Sequence, residues 1–222
     1  MKFKKKGTIK IAIDSPAAAG AGTLAKTISK HYNLFYLDTG KIYRYIANLK
    51  LKSSRNLSIS LLKKKIKTLK MIDLGNKELL SDKVGVEASI ISKNKKIRNL
   101  VHSFQKIYAY SPPKKYNGSC LDGRDITYKI VPDAEFKFFI TANIKTRANR
   151  RYKELKKLRK KVKFKDILNN LKRRDLEDRS RRHSKLKKTK DSILINTTNL
   201  SIRDSFLKVK KIMDKKLKKI WN

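Results

Sequence analysis

The chain predicts an α/β fold in which a parallel sheet is flanked by helices. Three observations carry this. Thr8 to Asp14 (TIKIAID) is a short apolar run rich in β-branched residues, which reads as a buried strand. It enters a loop of Pro, Ala and Gly and then the helical pattern of Leu24 to Tyr32. A second strand, Asn33 to Asp38 (NLFYLD), and a second helix, Gly40 to Leu51, repeat the alternation that builds parallel sheets.

The later elements extend the pattern. Residues 52–94 hold only short apolar runs, KMIDL and ELL, separated by Gly75 and Gly85, and read as an irregular inserted subdomain. Lys95 to Tyr110 reads as a helix stopped by Pro112-Pro113. Gly118 to Asp122 (GSCLD) and Glu135 to Thr141 (EFKFFIT) read as the third and fourth strands. Lys145 to His183 reads as helical and very charged, and Ser192 to Asn196 (SILIN) as the last strand. Ser201 to Ile220 is amphipathic, with Ile202, Phe206, Val209, Ile212, Met213 and Leu217 on the face expected to meet the sheet. No internal repeat is visible, and the basic stretch 156–189 is the nearest approach to low complexity.

Composition sets limits on function. A length of 222 residues suits one domain of ordinary core size. No stretch approaches the roughly 20 apolar residues of a membrane helix. The basic start, Met1 to Lys6, is followed by an apolar run, Ile9 to Ile13, far too short for a signal peptide. The single cysteine, Cys120, rules out an internal disulfide framework and points to a reducing cytoplasm. His31, His102 and His183 do not cluster in sequence with other ligand types and read as surface or packing residues; with one cysteine there is no zinc spacing.

The net charge is +41, from 45 lysines and 14 arginines against 18 acidic residues. One reading is a binder of nucleic acid or anionic surfaces. The other is a coding bias, because lysine, asparagine and isoleucine are abundant together and the lysines spread over the whole chain. The even spread favours the second. Either way phosphorylated ligands are attracted, and weak non-specific nucleic-acid binding follows.

Ser15-Pro16-Ala17-Ala18-Ala19-Gly20-Ala21-Gly22-Thr23 lies between strand and helix, where small residues let backbone N–H groups curl round phosphates. The usual phosphate-loop pattern is Gly, four residues, Gly-Lys, then Ser or Thr. Here Ser15 replaces the first Gly and Ala21 the Lys. Spacing alone leaves two readings open, a phosphate site or a small-residue turn for close helix–strand packing.

The next segments decide the matter. Asp38-Thr39-Gly40-Lys41-Ile42-Tyr43-Arg44 follows the second strand; Lys96-Ile97-Arg98 precedes a helix ending in Gln105-Lys106. Leu121-Asp122-Gly123-Arg124-Asp125 closes the third strand, and Pro132-Asp133-Ala134 leads into the fourth. Arg174-Asp175-Leu176-Glu177-Asp178-Arg179-Ser180-Arg181 carries an Arg-Asp-x-x-Asp-x-x-Arg signature. In this order the motifs resemble the bacterial cytidylate kinases, from about residue 8 to the C-terminus.

The resemblance implies a kinase that moves a phosphoryl group from ATP, with Mg²⁺, to CMP or dCMP. It implies one domain with core segments 8–51, 95–143 and 190–222, an inserted monophosphate-binding region over 52–94 and a helical lid over 144–189. Ser15 to Thr23 would hold ATP. Arg44, Arg98 and Arg124 match positions that contact or face the acceptor phosphate, where a guanidinium fork binds bidentately as lysine cannot. Thr39, Arg98 and Asp125 fall at base-recognition positions. Asp178 and Arg181 match contacts to the sugar hydroxyls, and Arg174 fits the phosphate. Asp122 would hold a magnesium water without a protein cage around the metal. Arg147, Arg150 and Arg151 would stand at the start of the lid helix and close over the transferring phosphate, with Lys26 or Lys41 near by. A monomer is expected. The alternatives are a kinase of relaxed choice that also takes UMP, and a basic RNA-binding protein on a catalytically weak kinase scaffold.

Overall fold

β1 (Ile9–Asp14) is buried along nearly its whole length because it is the middle of a five-stranded sheet. With β2 (Phe35–Asp38), β3 (Gly118–Gly123), β4 (Phe136–Thr141) and β5 (Ile193–Asn196) the strand order is β2-β3-β1-β4-β5, and every pairing is parallel. The computed structural model describes residues 8–53, 57–158 and 161–221, so the basic N-terminal run lies outside the described residues.

Side chains alternate across the strands as the pleat requires. Ala12, Leu37 and Leu121 face a core shared with α2 (Thr39–Lys52), α3 (Ile59–Lys67), α4 (Asp82–Ile91) and α5 (Lys95–Tyr110). Ile11, Ile13 and Cys120 face the other side, against α1 (Ala21–Tyr32) and the C-terminal helix α8 (Ile202–Trp221). Burial on both faces explains why these strands read as continuous apolar runs. On α8, Val209, Met213 and Leu217 are buried as expected, but Ile202 is 60% exposed.

Two sequence readings need correction. The described residues of 52–94 are not irregular. They form α3 and α4, with 3₁₀ turns at Asp73–Gly75 and Lys77–Leu80 between them. The overlooked signals are Ser58 and Ser81, whose side chains accept from Leu61 N and Val84 N and start the helices. The charged stretch 145–183 is not one helix but two, α6 (Ile144–Lys157) and α7 (Phe164–Ser180). Ala148 and Leu155 on α6 pack against Ile167 and Leu171 on α7, and Phe164 meets Tyr152 edge-on. A continuous helix would leave both apolar stripes in water, so the chain turns back on itself.

Candidate active site

A cleft of about 960 Å³ opens at the carboxyl ends of β1, β2 and β3. The loop from Ser15 to Gly20 and the first turn of α1 form one side of it. Gly20 precedes α1 with φ +87 and gives the helix no side-chain cap. The first N–H groups of α1 therefore keep an anion-seeking end at the cleft. Ala18 also sits in the left-handed region, at φ +60, a conformation that costs an alanine about 1 kcal/mol.

Contacts from the helical hairpin hold this loop. Arg147 donates from Nη1 to Ala17 O at 3.1 Å and from Nε to Ala142 O at 3.0 Å, and forms a two-pronged ion pair with Asp175. Arg150 donates to Ala19 O at 3.3 Å, to Thr197 Oγ1 at 3.0 Å and to Thr197 O at 2.6 Å. Arg151 pairs with Glu154 at 2.9 Å. Arg150 thus has no carboxylate partner among the described residues. Its Nη1 lies 3.6 Å from the place a Cβ on Gly20 would take.

The other side of the cleft is a ring of arginines: Arg44, Arg98, Arg124, Arg174 and Arg181. Arg44 is braced by Leu79 O at 2.7 Å, so the 3₁₀ turn and α4 aim a side chain that starts on α2. Arg98 is buried over the Tyr43 ring, with Nε on Ser92 O at 3.1 Å and Nη1 on Asp125 at 3.0 Å. Arg124 Nε donates to Asp178 at 2.8 Å, and Arg181 pairs with the other oxygen of the same carboxylate. Arg174 Nε is buried without a partner. Burial and the neighbouring Arg124, Arg44 and Arg181 push its guanidinium down to about 10, the mark of a cluster short of negative charge.

The carboxylates differ. Asp178 and Asp125 are held below the ordinary range despite burial: Arg124 and Arg181 surround Asp178, and His102 and Arg98 face Asp125. Asp122 moves the other way, pushed up by burial and by the carboxylate of Asp38, its register partner on β2. Its Oδ1 is buried with no hydrogen-bond partner. Asp14, at the end of β1, accepts from Ile126 N at 2.8 Å, Thr127 N at 3.0 Å and Thr127 Oγ1 at 2.5 Å. It pins a π-helical turn at Ile126–Ile130, directly after Asp125.

Most sequence-named residues therefore meet in one cleft: Ser15 to Thr23, Thr39, Asp122, Asp125, Arg151 and the five arginines. Three of them stand outside its lining, among them Lys26, which lies over the Tyr36 ring. Arg147 is buried in its pair with Asp175 beneath the loop, and Asp178 lies behind Arg124 and Arg181. Thr39 lines the cleft, but its hydroxyl is already given to Asp122 O at 2.7 Å. The sequence reads His102 as a surface or packing residue; its Nε2 lies 3.0 Å from Asp125 Oδ2. The signal was available, because His102 is one helical turn from Arg98 on α5. Thr197 had no motif to announce it, and Asp14, the residue that leads into the phosphate loop, carried no assigned role in the sequence reading.

Comparison with known proteins agrees with this arrangement. The family model described as cytidylate kinase matches residues 11–215. A cytidylate kinase of Bartonella tribocorum is 42% identical over 199 residues, covering 88% of this chain and 90% of that protein. Cytidylate kinases of Clostridium tetani and Thermosipho melanesiensis are 39% identical over 215 residues (92% and 93% covered) and 37% over 220 (94% and 98%). Among solved structures, an uncharacterized protein from Eubacterium ventriosum superposes with a TM-score of 0.55 at 18% identity, covering 93% of this chain and 99% of that one, which is a likeness of fold. The chain belongs to the cytidylate kinase family.

Proposed function

We propose that this protein transfers the γ-phosphoryl group of ATP to CMP or dCMP, giving CDP or dCDP. The observation that carries the reading is the division of the cleft. An uncapped helix start and phosphate loop form one side, and five guanidinium groups form the other. A nucleoside monophosphate supplies the dianion that the second side lacks. The acceptor's phosphate oxygen bonds to the γ-phosphorus as the bond to the ADP oxygen breaks. Positioning and charge stabilisation do the work, and no general base is required.

Within this reading Arg44, Arg124 and Arg174 bind the acceptor phosphate. Arg98 and Asp125 read the cytosine edge, where a carboxylate accepts from the exocyclic amine and repels the oxygen of uracil. Arg181 reaches the sugar while Asp178 holds it and Arg124 in place. Arg147 positions the loop through Ala17 O. Arg151 stands at the mouth of the cleft. Arg150 supplies the charge that Ala21 cannot, because its guanidinium already lies on the phosphate loop without a carboxylate of its own. Residues 52–94 serve as the acceptor-binding insert and residues 144–189 as the lid, in a cytoplasmic monomer.

Asp122 suits a divalent cation. It offers a buried, unpartnered oxygen, and burial and Asp38 outweigh the nearby positive charges of Arg124 and Lys26. Such a cation, Mg²⁺ by its preference for carboxylate and phosphate oxygens, supplies neutralisation of phosphate charge when bound.

A coupled assay with ATP and each monophosphate tests the whole. CMP and dCMP should turn over well above UMP, AMP and GMP. Equal turnover of UMP and CMP would refute the assignment of Arg98 and Asp125. No observation favours the RNA-binding scaffold, since the acceptor-side arginines converge on one cleft.

A further inference from the structure

A second cavity, of about 320 Å³, opens beside the cleft, and Arg98 belongs to the lining of both. Five further cations line it: Lys95, Lys129, Arg182, Lys185 and Lys187. No carboxylate does, and none of the five has an ion-pair partner among the described residues. A scattered lysine surface does not explain this. Like charges around one concavity repel, and long exposed side chains are free to splay apart.

The backbone here is built rather than incidental. Tyr128 and Lys129 come from the π-helical turn pinned by Asp14, and such turns are rare and frequently found at functional sites. Ser184 is buried yet left-handed, at φ 59, an uncommon conformation for a serine. Tyr128 OH donates to Lys185 O at 2.6 Å, which ties the turn to the segment after α7. Lys187 lies over the Tyr128 ring at 4.6 Å. Two unrelated stretches of chain are thus locked together so that their cations share one space.

We propose that this cavity binds a small oligophosphate, the di- or triphosphate group of a soluble ligand. The volume stands at the lower end of small-molecule sites, which span about 300–1,000 Å³. A polynucleotide backbone would ask for an extended stripe, whereas these cations surround a concavity. The proposal does not depend on the kinase reading, because none of its five unpaired cations belongs to the main cleft.

The chain's own histidines report on the site. His102 and His183 line the cavity, whereas His31 packs elsewhere, against Tyr32 and Phe206. The experiment follows the imidazole signals of the full chain by NMR during titration with tripolyphosphate. The main cleft is kept filled with CMP and a non-hydrolysable ATP analogue. His183 and His102 should shift saturably and His31 should not. Lys129→Ala with Lys187→Ala should raise the dissociation constant at least about tenfold, as expected for lost charge-assisted contacts. Lys63→Ala with Lys65→Ala on α3, an equal change of net charge, should alter it less than about twofold. The proposal is overturned if His183 does not move saturably, if His31 moves with it, or if the two double variants lose equally. Tighter binding of a single-stranded RNA oligomer than of tripolyphosphate at the same histidines would also overturn it.

Discussion

A double-mutant cycle on Ala21 and Arg150 tests whether a guanidinium has taken the place of the missing phosphate-loop lysine. Arg150→Met removes the cation and keeps most of the stem. Three contacts go with it, to Ala19 O, Thr197 Oγ1 and Thr197 O. At about 1 kcal/mol each these contacts matter for folding, so stability is followed in parallel by urea titration. Removing one preorganised charge from a developing phosphate anion costs about 10²–10³ in rate. In the natural background Arg150→Met should therefore lower kcat/KM for ATP by about two to three orders of magnitude. Ala21→Lys alone should change it by less than about tenfold, because the charge is already supplied. In the Ala21→Lys background the cost of Arg150→Met should shrink to about tenfold or less. Structural losses from the three contacts occur in both backgrounds and cancel in the cycle. The result that sinks the reasoning is additivity, with Arg150→Met costing the same whether residue 21 is alanine or lysine. A hundredfold or greater gain from Ala21→Lys alone would also show that no cation had replaced the lysine.

Three further outcomes are expected. Arg147→Met should act mainly on stability, lowering it by about 3–5 kcal/mol because Asp175 is left as an uncompensated charge, and urea unfolding of the variant and of Asp175→Asn checks this. Arg181→Ala should raise KM for CMP roughly ten- to a hundredfold and leave KM for ATP within about twofold, and an effect confined to ATP would remove Arg181 from the acceptor side. Asp14, pushed up from 3.8 to about 6 chiefly by burial, holds its proton more tightly in the folded chain than in the unfolded one. Its contribution is therefore present below about pH 4 and lost as pH rises to about 6, worth about 3 kcal/mol. The stability difference between the natural protein and Asp14→Asn should fall across that window, and a constant difference would contradict it.

How much of this was legible in the sequence depends on how local the cause is. β1 and β3 were readable because burial on both faces makes them apolar runs, β5 was readable from its apolar residues although Ile193 and Leu194 are exposed, and Asp122 and Arg124 were readable because they stand at the end of β3. The helices of residues 52–94 were missed because their starts rest on single serine caps and Gly75 and Gly85 interrupt the apolar pattern. The break between α6 and α7 was missed for a different reason. Lysine and arginine favour helix throughout that stretch, and only the pairing of Ala148 and Leu155 with Ile167 and Leu171 forces the turn. The site shows the same division. Motifs named which arginines belong to the cleft, but not what each one is tied to. Arg147, Arg150 and Arg151 sit within five residues of one helix and look interchangeable in sequence. The i,i+3 spacing pairs Arg151 with Glu154, but only the fold gives Arg147 to Asp175 and Arg150 to the carbonyl oxygens of Ala19 and Thr197. A carbonyl holds a guanidinium in place without neutralising it, so the charge of Arg150 remains available to a phosphate. On the proposed reading that distinction lets a loop without lysine serve phosphoryl transfer, and it arises from tertiary contacts between α6, the phosphate loop and Thr197 that no local pattern encodes.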